Sequence, residues 1–179
     1  MKMTTHYALA LLLGAAMLAG CGSGMITNGE AELTANESSP AFLDRVSDER
    51  QVTFNDATRG LVILLDGEDT FDTLEQRVTY LRSRSVIPAE WNIDAFAPVT
   101  RGRLAYMTYV ASEMSGGVWL TVAGPSQRYC LREMQYRGVM GDGTLVASVS
   151  GLEYVTTLSR AATYIASGEV PDAAGDLPE

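Results

Sequence analysis

The sequence predicts a mainly α domain, a bundle of about five helices arranged as helix-loop-helix repeats, with room for one short β-hairpin. Three observations carry this. Apolar residues recur at steps of three and four in five separate stretches. A Ser or Thr stands where an N-cap belongs before each of them. The dipeptide Val-Thr or Val-Ser precedes three of the five, at Val52-Thr53, Val99-Thr100 and Val149-Ser150, spaced 47 and 50 residues apart.

The elements follow in order. The first helix runs near Thr53 to Leu65, with Leu61, Leu64 and Leu65 on its apolar side. The second opens at Thr73 and carries Leu74, Val78 and Leu81. The third follows Thr100 with Leu104, Met107, Ala111 and Met114, and the fourth follows Ser126 with Leu131 and Met134. The fifth follows Ser150, with Leu152, Val155, Leu158, Ala162 and Ile165. Asp56 and Glu153 stand three residues after their caps, as a capping box wants. One stretch departs from helical spacing. Val118, Leu120 and Val122 alternate within Gly117 to Gly124, which reads as a short strand or extended loop with Thr144 to Val149 as its partner. Trp119 falls in this stretch, either as an exposed contact or as the lid of a second apolar layer.

Outside the helices, composition sets the boundaries. Residues 1–20 hold the only Lys, the only His and the apolar run from Ala8 to Ala19, too short for comfortable membrane spanning and suited to removal after export. The run ends Leu18-Ala19-Gly20-Cys21, which resembles the lipobox of bacterial lipoproteins. That resemblance implies diacylglyceryl transfer to the Cys21 thiol and an acylated mature N-terminus. Each buried methylene contributes about 0.8 kcal/mol, so several acyl chains make a lasting anchor. Gly22, where an Asp would signal inner-membrane retention in the enteric rule, points to the outer membrane. Residues 21–50 read as the lipidated Cys and a flexible tether, rich in Gly, Ser, Asn and Glu up to Pro40. The helical domain is expected over 51–167 and an acidic, disordered tail over 168–179.

Without residues 1–20 the chain has 12 Arg against 22 acids, a net charge of −10, and neither His nor Lys. Catalysis by Ser-His-Asp or Cys-His, His-ligated metals, Lys Schiff bases and Lys phosphate loops are all excluded, each for want of a side chain. Strong acidity with no Arg run argues against nucleic acid. Cys130 reads as a small buried hydrophobe on a helix, because no base is at hand to stabilise a thiolate. The acids Asp66, Glu68, Asp69 and Asp72 do not follow a calcium-loop pattern, and no pair of carboxylates is set beside an apolar wall as glycoside hydrolysis needs. No catalytic residue, metal or cofactor is expected.

A second recurring element sharpens the repeat. The helices after Thr73 and Ser126 end Leu81-Arg-Ser-Arg-Ser-Val86-Ile87-Pro88 and Met134-Gln-Tyr-Arg-Gly-Val139-Met140-Gly141, the same pattern 53 residues apart. The order helix, Arg-Ser-Val-Ile-Pro, loop with Pro98, then Val99-Thr100-Arg101-Gly102-Arg103-Leu104-Ala105 is similar to the S-layer homology motif. The likeness covers residues 73–114 well and 126–166 loosely, with Thr53 to Leu65 as a remnant of a first unit. Arg103 replaces the motif's Glu, and Ser150-Gly-Leu-Glu153 keeps the Glu without the Arg. The layout also resembles envelope lipoproteins of planctomycete-type bacteria. These likenesses imply a helical bundle of pseudo-repeats that holds proteins to cell-wall polysaccharide without catalysis.

On that reading Trp91, Thr100, Arg101 and Arg103 are the candidate ligand-binding residues. Arg101 and Arg103 flank a helix N-terminus suited to an anionic sugar substituent, or else pair with nearby acids. The Trp91 indole stacks on a sugar ring or plugs the space between two helices. The expected function is a non-catalytic, lipid-anchored envelope protein contacting wall polysaccharide, with a periplasmic protein-protein adaptor as the alternative.

Overall fold

The computed structural model describes residues 26–27, 37–117, 120, 122 and 124–170. Among these, six helices form a mainly α bundle: α1 (Ser39–Ser47), α2 (Phe54–Asp66), α3 (Leu74–Ser83), α4 (Arg101–Ala111), α5 (Gln127–Tyr136) and α6 (Gly151–Ser167). Two short strands, β1 (Ile26–Thr27) and β2 (Ile93–Asp94), pair in parallel with Ile26 opposite Ile93. Cys21, Trp119 and residues 171–179 lie outside the described residues.

All five expected caps form. Thr53, Thr73, Thr100, Ser126 and Ser150 each accept from the backbone N–H three residues on, and Gln76 completes a reciprocal capping box with Thr73. Each such cap is worth about 1 kcal/mol. The ends of α3 and α5 also match. Ser85 (φ 60°) and Gly138 (φ 70°) take left-handed conformations, and the next two amides in each chain return to Leu81 O and Met134 O.

The Val-Thr/Ser repeat is the centre of the fold. Val52 N–H donates to Val149 O (2.9 Å), Val149 N–H to Val99 O (3.2 Å), and Val99 N–H to Val52 O (2.9 Å). The three bonds close a ring, so the segments stand about a pseudo-three-fold axis with all three Val side chains fully buried. The residue after each cap continues the cycle: Phe54 N–H donates to Ala97 O, Arg101 N–H to Ala147 O, and Gly151 N–H to Glu49 O. Helices α2, α4 and α6 therefore start together and run along the axis. Four residues past each cap, Ala57, Leu104 and Tyr154 meet with no exposure, small beside large. The Tyr154 hydroxyl donates to the Asp56 and Ala57 carbonyls, 3.1 and 3.0 Å away. Gly60 makes room for it, since a Cβ there would lie 1.9 Å from that oxygen. Truncating Leu104 in such a layer costs about 2–5 kcal/mol.

Each axial helix has a partner: α3 packs on α2, α5 on α4, and α1 on α6. The third unit thus takes its second helix from the beginning of the chain. The first turn of α6 touches α1 so closely that a Cβ on Gly151 would lie 1.7 Å from Val46 O. Ion pairs fasten the same segment: Glu37 meets Arg45 (3.2 Å) and Arg59 (3.0 Å), and Arg45 meets Asp56 (3.1 Å).

Two expectations are corrected. The domain begins well before residue 51, because Phe42 and Val46 of α1, one helical turn apart, are fully buried, and Glu37 pairs with Arg59. Among the described residues the β-hairpin is absent. Leu120 and Val122 have helical backbone, with Leu120 buried and Val122 exposed, whereas one face of a strand would hold both. Residues 144–149 form a turn followed by an isolated bridge from Ser148 to Thr100.

Candidate functional site

The pseudo-symmetry places the residue one after each cap against the residue three after the next unit's cap. The first seam joins Phe54 to Arg103, whose guanidinium lies 5.8 Å from the ring centre. The second joins Arg101 to Glu153, Nη1 to Oε1 at 2.5 Å. In the third, Gly151 and Asp56 are the equivalent pair, and α1 fills the seam with Val46 against Gly151 and Arg45 against Asp56.

The first seam is open. The loop after α3 brings Trp91 beside Tyr106 of α4, ring centres 5.4 Å apart and tilted by 50°, and Arg103 lies over the indole at 5.1 Å. Arg82 Nη2 donates to the Trp91 carbonyl (2.9 Å) and fixes the loop. A groove of about 560 Å³ runs beside these rings. Arg82, Glu90, Trp91 and Tyr106 line it together with Ser126 and Gln127 at the start of α5. Burial, then Cys130 and Glu90, push the Tyr106 hydroxyl above its ordinary pKa, so it stays a neutral donor. The groove offers two aromatic faces, a guanidinium, and the positive end of α5. Such a set suits a sugar ring bearing an anionic substituent.

The four candidate residues separate. Trp91 lines this groove, and Arg103 stacks on the indole without lining the groove itself. Thr100 is half-buried and its hydroxyl caps α4. Arg101 is only 8% exposed and points away into the second seam, where it pairs with Glu153 and donates to Gly141 O. It fills the space over Gly143, where a Cβ would lie 2.6 Å from its Cζ. Burial raises the Glu153 carboxyl above the usual range, with Arg101 pulling the other way. Arg101 and Trp91 therefore do not share a groove. The equivalents of Arg101 carried the signal: Phe54 is apolar and Gly151 has no side chain, so that repeat position faces inward. Tyr106, Arg82 and Gln127 were missed. Tyr106 lies between Leu104 and Met107 in sequence, on the other side of α4 from those core residues, and its exposure to the groove follows from that spacing.

Cys130 is fully buried, and burial pushes its thiol up to about 12, which leaves it no thiolate at neutral pH. Among the described residues no cluster of acids, Cys or His is arranged to hold a metal ion, and no helix is long and apolar enough to cross a membrane. Comparison with family models, with curated proteins and with solved structures found no match.

Proposed function

We propose that the chain is a non-catalytic envelope lipoprotein, anchored through acylated Cys21 to the outer membrane, whose helical repeats contact an anionic wall or envelope polysaccharide. The observation that carries this reading is the groove bordering the first seam, lined by Trp91 and Tyr106 together with Arg82 and the start of α5, with Arg103 stacked on the Trp91 indole. The closed ring of three Val segments supports the likeness to S-layer homology repeats, a family built from helical pseudo-repeats.

Contact moves from the Thr100-Arg101 segment to Trp91 and Arg103. A charge-assisted hydrogen bond contributes about 1.5–3 kcal/mol. The test is co-sedimentation of the Gly22–Glu179 fragment with sacculi or envelope polysaccharide from its own source. Wild type should sediment. Trp91→Ala and Arg103→Ala should bind about tenfold more weakly or worse, with Arg103→Ala close to wild type in unfolding temperature. Absence of wild-type sedimentation, or equal sedimentation of all three, would favour the adaptor. Separately, Cys21→Ser should leave the protein in the soluble or precursor fraction.

A further inference from the structure

The end of the bundle where α2, α4 and α6 begin carries three large apolar side chains in solvent: Phe96 (54% exposed), Val146 (78%) and Leu152 (68%). Two of them are related by the pseudo-symmetry. Phe96 stands in a turn from Asp94 to Ala97, closed by Ala97 N–H to Asp94 O at 3.3 Å. Val146 stands fifty residues on in a turn from Thr144 to Ala147, closed the same way at 3.3 Å. The residues either side of each tip are turned inward, because the Ala95 and Ala97 carbonyls accept from Asn55 and Phe54, and the Leu145 and Ala147 carbonyls from Gly102 and Arg101. The Asp94 carboxylate accepts from Phe96 N–H (3.0 Å) and holds the first tip outward. Leu152 joins them at the second position of α6.

The chain also brings its anchor to this end. Ile26 pairs with Ile93, three residues before Phe96. Cys21 lies five positions before Ile26, and a fully extended chain gains about 3.3–3.6 Å per residue, so the acylated cysteine stays within about 18 Å of β1. We propose that the Phe96–Val146–Leu152 face rests on the lipid bilayer into which Cys21 is acylated, with both turn tips in the interfacial layer. This rests on the lipid-anchor reading above. Apolar side chains at such a surface sink about 5–10 Å toward the acyl boundary. A net charge of −10 without residues 1–20 gives no attraction to an anionic leaflet, so the contact is apolar and is made effective by the concentration that the anchor imposes. It fixes the orientation of the domain and directs the C-terminal ends of α2, α4 and α6 away from the membrane.

The test uses the full-length lipoprotein purified from cells and reconstituted in vesicles, with the acyl mass on Cys21 read by mass spectrometry. An environment-sensitive dye is placed on Phe96→Cys, Val146→Cys or, at the far end of α6, Ser167→Cys. Cys130 is buried and leaves the labelling single-site. Dyes at 96 and 146 should shift to the blue and lose most of their emission to nitroxide-bearing lipid, while the dye at 167 should do neither. Equal quenching at all three sites, or none, on acylated protein would overturn the orientation and leave the anchor standing. No acyl mass would overturn the anchor and the orientation together. A blue shift at 96 that grows with protein density and ignores nitroxide lipid would also overturn it and give the face to a second copy of the chain.

Discussion

On one side of α4, Arg103 lies over Phe54 and Trp91 and leaves a groove beside them; on the other, Arg101 is locked to Glu153 and closes the seam. The two seams use the same repeat positions about the same axis, so backbone geometry does not distinguish them. The partner does. An aromatic ring meets a guanidinium through its face and leaves the cation half in water, with about 0.5–1 kcal/mol gained at an exposed site. A carboxylate meets it edge on, and burial then makes each charge depend on the other. A helical repeat can thus keep one seam available for contact and spend its equivalent on cohesion, through changes at the two positions of the pair.

The third seam is the most demanding test of that comparison, because it holds a whole helix. Gly151→Ala should cost more than about 3 kcal/mol, since its methyl group would overlap Val46 O and push α1 off α6. Denaturant unfolding measures this, and a near-neutral variant would show that α1 is not wedged there. Next is Arg101→Ala, which leaves Glu153 without its cation and should cost about 3 kcal/mol, the lower end for a buried pair because the Glu153 side chain is 23% exposed. A double-mutant cycle with Glu153→Gln should recover part of the loss, whereas strict additivity would mean the pair contributes nothing beyond packing. Thr100→Ala removes only the cap and should cost about 1 kcal/mol. Arg103→Ala should cost less than about 1 kcal/mol in stability yet weaken polysaccharide binding. If Arg103→Ala destabilises as much as Arg101→Ala, the contrast between the seams is lost. The smallest effect concerns Cys130, which should not react with thiol reagents at pH 8, two seams and folding intact. With its pKa raised to about 12, thiolate appears only on unfolding, so labelling should follow the denaturant curve.

Much of this architecture was legible in residues that recur. Val-Thr and Val-Ser before three helices marked the ring, and the matching Leu81 and Met134 termini marked two of the three outer helices. What escaped was the third outer helix, α1. Residues 39–47 are short, and only Phe42, Leu43 and Val46 show the helical spacing amid polar neighbours, so α1 is read as tether until its packing on α6 is seen. Alternation at Val118, Leu120 and Val122 suggested a strand, but so short a run cannot separate a period of two from helical backbone, which Leu120 and Val122 have. The candidate site was half legible. Trp91 announced the groove, but a charged side chain gives no sign in one sequence of whether its partner is an acid or a ring, so Arg101 stayed open between a ligand contact and a pairing with nearby acids, of which the second is found with Glu153.

The supply of the third unit's outer helix by α1 also sets the order in which the protein can mature. Val46 is made early, and Gly151, which it must meet, is made 105 residues later. Until α6 arrives, the ring lacks one of its three Val segments and α1 lacks the larger of the two surfaces it packs on. Loop closure over that separation is compensated only when all three segments engage. The closed ring of Val52, Val99 and Val149 therefore cannot form before the segment that opens α6 has been synthesised.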